Sequence, residues 1–339
     1  MLQALKKNVL FGFIVCTSSM TSSAAIDIQF DYSLDTQGFF SSSDAKTSLE
    51  AAGSFFEGLL QDTFDAITPG TVYNAGTEAQ FSDTWTIDFN HPGTGNAHSI
   101  VDKSIAANTL LIYAGGRNVD GSGGTLASAG PWGYSVSGVT SFLDNVLSRG
   151  ESGITDGSGS RLSTETDFAP GGGSIVFDTS ESWFYNSDVN STTAPTGGQM
   201  DFLSTAMHEL AHVLGFGTAD GGSSNDGSWS GKISSGAFTG AFSKASNGGS
   251  NVSLDGGNGH WADGTTSVRH LDGVSQEANM DPTTTSNERK LFTNLDIMGL
   301  RDVGWEINVS AVPEPSFYAT VFGLALLGFG LVRRRKLQA

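Results

Sequence analysis

Three residues in one stretch, Met200 to Gly217 (MDFLSTAMHELAHVLGFG), have the types and the spacing for metal chemistry: His208, Glu209 and His212. On a helix, side chains four residues apart stand one above the other on the same face. Two imidazoles so placed can bind one zinc ion, and the pattern is H-E-x-x-H. Glu209, one residue round from His208, is placed to take the proton of a water activated by that metal. The alternative is that the pattern arose by chance and His208 is a polar residue on a solvated face. Against this stand Gly215, three residues past His212, and the amphipathic character of the helix. Leu203, Ala206, Met207, Leu210, Val213 and Leu214 form one apolar stripe; at about 100° per residue the two histidines fall opposite its centre. One face can enter a core while the other lines a cleft.

Such a helix needs a frame. Ile26 to Tyr32 alternates apolar and polar residues, as a half-buried strand does. Ser41 to Ser43 offer an N-cap, and Leu49, Ala52, Phe56, Leu59, Leu60, Phe64 and Ile67 follow at helical spacing until Pro69-Gly70. The spacing predicts a long backing helix with its aromatics in the core. Thr84 to Phe89 alternates like a strand, and His91 and His98 fall in the loop after it, without metal-binding neighbours in sequence. Thr109 to Ala114 (TLLIYA) is a continuous apolar run, the mark of a strand covered on both faces. Gly115 to Gly133 reads as a Gly-rich loop, Ser141 to Arg149 as a short helix, and Ser174 to Asp178 as another strand, with Trp183 and Phe184 after it. Asp220 to Gly259 is rich in Gly, Ser, Asn and Asp. That composition admits calcium, but no Asp-x-Asp-x-Asp-Gly loop is present and ordinary polar loop is the better reading. No repeat of 20–50 residues is visible. Leu295, Met298 and Val303 suggest a helix ended by Gly304, with Trp305 to Val309 as a closing strand.

Composition narrows the chemistry. A formal charge of -18 over 339 residues argues against nucleic acid, whose phosphates require Lys and Arg. The one cysteine, Cys16, lies near the N-terminus. If that segment is removed, disulfides, cysteine nucleophiles, Cys-ligated zinc and a thiol-switched zymogen are all excluded. Charged residues are only 15% and glycines number 45, so loops should be long and irregular.

The two ends read as addresses. Met1 to Ala25 has a signal-peptide layout: Lys6 and Lys7, then the apolar Val9 to Cys16, then small residues with a cut after Ala24 or Ala25. The alternatives are a buried N-terminal strand and a lipoprotein cut before Cys16, for which Val15 is too bulky. At the other end, Val312-Pro313-Glu314-Pro315-Ser316 precedes an uncharged run from Phe317 to Val332 and the basic Arg333-Arg334-Arg335-Lys336. Residues 312–336 resemble the PEP-CTERM sorting signal of Gram-negative bacteria. The resemblance implies recognition by an exosortase and export to the cell surface or extracellular matrix. A basic cluster stays cytoplasmic, which places the body outside. The apolar run is shorter than the ~20 residues of a permanent span, which suits a transient anchor; a permanent membrane tail is the alternative.

Catalytic zinc usually takes three protein ligands, so a third must come from elsewhere. Besides His91 and His98, only His260 and His270 remain as imidazoles; acidic candidates are many. His208, Glu209, His212 and Gly215 match the opening of the metzincin motif, H-E-x-x-H-x-x-G, in which the glycine turns the chain at the helix end. Most metzincins place the third histidine three residues beyond the glycine. This chain has Thr218 there, a poor ligand, and Asp220 is out of register. The leishmanolysin-like branch instead carries a distant third histidine in a Gly-rich His-Trp stretch, followed by the Met-turn. Here Gly256-Gly257-Asn258-Gly259-His260-Trp261 precedes Asn279-Met280-Asp281-Pro282, and Phe292 to Trp305 resembles the helix that follows the turn. The resemblance thus implies His260 as third ligand and Met280 as Met-turn residue. His270 or a carboxylate is the rival ligand, and Met298 the rival methionine. No tyrosine beyond Met280 is assigned to stabilise an oxyanion.

The expected fold is α+β and metzincin-like. A signal peptide (1–25) precedes an upper lobe (26–217) with a twisted mixed sheet, a backing helix and the site helix. A loop-rich lower lobe (218–310) carries the third ligand and the Met-turn. In that architecture an edge strand over the zinc pairs with an extended peptide; Ser174 to Asp178 is the candidate. The expected activity is that of an exported zinc endopeptidase, a monomer acting on protein or peptide substrates, touching the membrane only through its C-terminal segment. The alternative is a surface or matrix adhesion protein on the same scaffold, with Thr218 as its support and Glu209 against it. A zinc hydrolase acting on non-peptide bonds is a third reading.

Overall fold

The apolar run at 109–114 does lie between two layers. In the computed structural model, which describes residues 26–75, 79–217 and 227–308, it belongs to the strand Thr109–Arg117. That strand pairs in parallel with Asp27–Asp31 on one side and Gly172–Asp178 on the other, and Gly172–Asp178 pairs antiparallel with Ala127–Pro131. The result is a mixed sheet with Ala127–Pro131 at its edge. Leu110, Ile112 and Ala114 face a core shared with helices Ser43–Leu59 and Phe202–Val213. Leu111 and Tyr113 face Trp85, Ile87 and Trp132, under a second, antiparallel sheet of Ala97–Val101, Thr84–Asn90 and Gly133–Ser137. The fold is α+β.

Several expectations need correction. Ser174 to Asp178 is an interior strand, so it cannot offer a free edge; the edge is Ala127–Pro131, inside the stretch read as loop. Its sequence, ASAGP, has neither alternation nor β-branched residues, and its pairing partner imposes the extended form. The backing helix stops at Leu59, although helical spacing runs on to Ile67. Leu60 is extended and bridges Ile307, and Ile67 bridges Ile105. The buried Arg149 holds this irregular segment by donating to the carbonyls of Asp65, Ala106, Thr109 and Pro170. His98 lies on a strand, not in a loop. The last helix is Asn294–Asp302, and after Gly304 the chain makes one bridge rather than a closing strand.

From Gly227 on, the chain has only two- and three-residue strands and short helices before Asn294. An aromatic cluster replaces regular structure there: Phe216, Trp229, Phe238 and Trp261 pack with ring centroids 4.2–5.7 Å apart. The signal peptide, Thr218, Asp220 and the 312–336 sorting segment lie outside the described residues. No described helix is long and apolar enough to cross a membrane.

Candidate metal centre

The site helix begins where the Asp201 carboxylate accepts the Ser204 N–H at 2.8 Å. This satisfies one of the open donors of the first turn. Arg289 faces the same carboxylate at 3.4 Å and donates to the carbonyls of Asn186 and Asp188, tying the helix start to a neighbouring loop. The apolar stripe is fully buried, whereas His208 and His212 are half-buried and open on a cleft.

At the other end the chain turns at Gly215, with φ +87°. A Cβ there would also lie 2.6 Å from the Phe168 ring, so glycine is required twice over. The turn carries the Phe216 carbonyl back to His212 Nδ1, at 2.8 Å. His208 Nδ1 meets the Asn279 carbonyl at 2.8 Å, and His260 Nδ1 lies 3.4 Å from the Asp255 carboxylate. All three partners are acceptors, so each Nδ1 carries the hydrogen and each Nε2 keeps its lone pair.

Those lone pairs converge. His212 Nε2 is 3.1 Å from His208 Nε2 and 3.1 Å from His260 Nε2. Three unprotonated nitrogens so close repel one another unless a cation lies between them. Tetrahedral zinc with bonds of about 2.0–2.1 Å would put its nitrogens ~3.3 Å apart, so the donor set fits zinc. Burial, then the neighbouring imidazoles, hold His208 well below the usual histidine range. Burial also pulls His212 down to about 4, which keeps its ring unprotonated.

Glu209 is buried and lines the same cleft. Burial pushes its carboxyl up to about 8, against the pull of a hydrogen bond from the Ala129 backbone N–H. Ala129 is the middle of the edge strand, so the strand and the acid are in direct contact. The cleft encloses about 1130 Å3 and is also lined by edge-strand residues.

His260 is held from below. Trp261 N donates to the Met280 carbonyl at 3.0 Å. Met280 is fully buried, and its N–H donates to Asp296 at 3.2 Å. Asp296 gathers four more donors: Trp261 Nε1 (3.0 Å), Asn279 N (3.0 Å), Thr293 N (2.8 Å) and Thr293 Oγ1 (2.7 Å). One buried carboxylate therefore fixes the neighbour of His260, the residue whose carbonyl orients His208, and the start of the last helix.

The structure thus brings together His208, His212, His260 and Glu209, with Gly215 and Met280 in supporting positions. The rivals lie elsewhere. His270 packs against Phe55 at 6.0 Å, and Met298 is only partly buried. His98 lines the cleft but packs edge-to-face with Phe89 and His91. A second acidic group, Asp263, Glu277 and Asp281, has Lys290 on two of its members. Sequence reasoning missed Ala129, Asp255, Asn279 and Asp296. Of these only Asp296 left a trace, as the fourth residue of the capping box begun by Thr293. No family model matches the chain, and no curated protein matches it.

Proposed function

We propose that the protein is an exported zinc-dependent endopeptidase of metzincin type with a distant third histidine. The observation that carries the reading is the convergence of three imidazole lone pairs beside a buried carboxylate, in a cleft walled by a sheet edge. His208, His212 and His260 would hold the zinc. Zinc bound there supplies a Lewis acid that acidifies water and polarises a carbonyl.

The chain's own residues do the rest. Glu209, which lines the same cleft as the three imidazoles, accepts a proton from water and delivers it to the leaving amine. Its raised affinity for protons suits the return step, and a dication beside it would draw that affinity down. Ala127–Pro131 has one unpaired edge, which an extended peptide can join through main-chain hydrogen bonds. The two chain ends support export and handling by an exosortase-type enzyme, with delivery to the surface or matrix of a Gram-negative cell.

Glu209→Gln is the test. The variant should bind one zinc per chain, as the wild type does, and lose chelator-sensitive cleavage of casein. A variant that cuts as fast as wild type removes Glu209 from the chemistry. A wild type that binds zinc and cuts nothing leaves the adhesion reading.

A further inference from the structure

The charges lining the cleft do not balance locally. Each carboxylate has a partner of its own. Asp88 accepts from Ser99, Asp255 from the loop it closes, Asp281 from Lys290 at 3.0 Å, and Glu209 from Ala129. One cation has none. Among the described residues Arg117 makes no ion pair, no side-chain hydrogen bond and no contact with an aromatic face, and its Nε is buried without an acceptor. Acidic residues outnumber basic ones 35 to 17 in this chain, so a half-buried guanidinium left unpaired is a specific arrangement. The loop beside it comes close: a Cβ at Gly95, where φ is +78°, would lie 3.2 Å from Arg117 Cζ.

Arg117 closes the sheet's central strand. It shares a face with Tyr113, on the side away from the site helix. The cleft reaches it past Ser128 and Val176, whose side chains are small, under Phe89 and His98. Arg117 pairs with Asp178, three residues beyond Ile175, the partner of Ala129 above Glu209. Three strand residues along and two strand spacings of about 4.8 Å across put Arg117 roughly 14 Å from Ala129. A planar guanidinium with free donors in a partly desolvated arm binds carboxylate bidentately.

We propose that Arg117 is a specificity-determining residue that anchors a carboxylate of the substrate in the arm of the cleft roughly 14 Å from the edge-strand residue above Glu209. The substrate class is an acidic peptide, bound through a Glu or Asp side chain or through a free C-terminus. The inference rests on the peptidase reading for its substrate, but binding can be measured without cleavage.

The experiment uses zinc-loaded Glu209→Gln protein and fluorescence polarisation of dye-labelled octapeptide pools. The pools are matched for Glu against Gln, and for a free against an amidated C-terminus. A charge-assisted contact of this kind predicts that one carboxylate pool binds about tenfold tighter than its neutral match or better. Adding Arg117→Gln should erase the preference and leave neutral peptides unaffected; Arg117→Lys should keep part of it. Equal binding of the pools, no binding of any, or a preference that survives Arg117→Gln overturns the proposal. Hydrolysis by the wild type is read separately. An Arg117-dependent preference without hydrolysis would sink the peptidase reading alone. Cleavage of acidic and neutral peptides at equal rates, unmoved by Arg117→Gln, would sink the anchor alone.

Discussion

Replacing Asp296 by Asn changes one oxygen for one NH2, and the consequence can be worked bond by bond. Oδ1 accepts from Trp261 Nε1 and Met280 N; Oδ2 accepts from Asn279 N, Thr293 N and Thr293 Oγ1. The amide keeps one acceptor. If its oxygen takes the Oδ2 place, Trp261 and Met280 face a donor. If it takes the Oδ1 place, Asn279 N and Thr293 N do, while the Thr293 hydroxyl can rotate away. Either way two buried N–H groups lose their acceptor. At roughly 1–3 kcal/mol for each buried group left unpaired, the loss is about 2–6 kcal/mol. A domain stable by about 5–15 kcal/mol would feel that strongly. The same groups steady His260 and the carbonyl on His208, so zinc affinity should fall about tenfold or more, as for other outer partners of metal ligands. Urea unfolding in chelator reads the first effect, and competition with a chromophoric chelator the second. Unfolding within ~1 kcal/mol of wild type, with unchanged zinc affinity, would refute the reasoning.

Three further outcomes are expected. Asp255→Asn should lower zinc affinity about tenfold with the far-UV circular dichroism intact: an amide donor facing His260 Nδ1 favours the tautomer whose Nε2 carries the hydrogen; unchanged titration of zinc would show that the carboxylate does not set the tautomer. Gly215→Ala should destabilise by at least roughly 1–2 kcal/mol for the left-handed backbone alone, with further loss from the Phe168 contact; a denaturation midpoint equal to wild type would contradict the turn as described. Burial pushes Asp62 and Asp167 up to about 7, opposed at Asp62 by the Glu306 N–H and at Asp167 by the Phe168 N–H and Lys232, with Asp167 and Glu151 adding to the push at Asp62 and Glu151 and Glu306 at Asp167. The folded chain then holds protons that the unfolded chain releases near ~4, so the contribution of this pair to stability is full below that pH, falls as pH rises, and is lost above about 7. Melts of wild type in chelator should diverge from those of the Asp62→Asn, Asp167→Asn double variant across that window, and parallel curves would remove the pair from the balance.

The placement of the histidine pair on the site helix was legible because both chemistry and core are written into one local period: His208 and His212 lie opposite a stripe that the structure buries whole. His260 was reachable only through resemblance, since no local pattern ties a loop histidine to a helix 48 residues away. The edge strand was invisible because its partner, not its own residues, makes it extended. The overrun of the backing helix has a similar origin. Leu60, Phe64 and Ile67 are as buried as the period demands, but the chain reaches the core by bridges and by carbonyls held on Arg149, and spacing cannot distinguish the two routes. Asp296 is a helix-start residue by its capping box; its other partners come from 16, 17 and 35 residues upstream and leave no mark on its neighbours.

The metal site and the C-terminal segment depend on one another. Two of the three imidazoles stand on the site helix, while His260, the acceptor for His208 and the carboxylate that fixes both belong to a stretch with little regular structure. No disulfide can fasten that stretch, because the sequence has only Cys16. An aromatic cluster and a buried carboxylate hold it, and they bring a third lone pair to 3.1 Å from another. That approach costs repulsion if no cation is bound, so packing and metal act in the same direction only when zinc is present. Zinc binding is then also docking energy for the segment. Weakening either the cluster or the ligands should therefore loosen the same element: the loop from Asp255 to Trp261, rather than the site helix, whose own core remains.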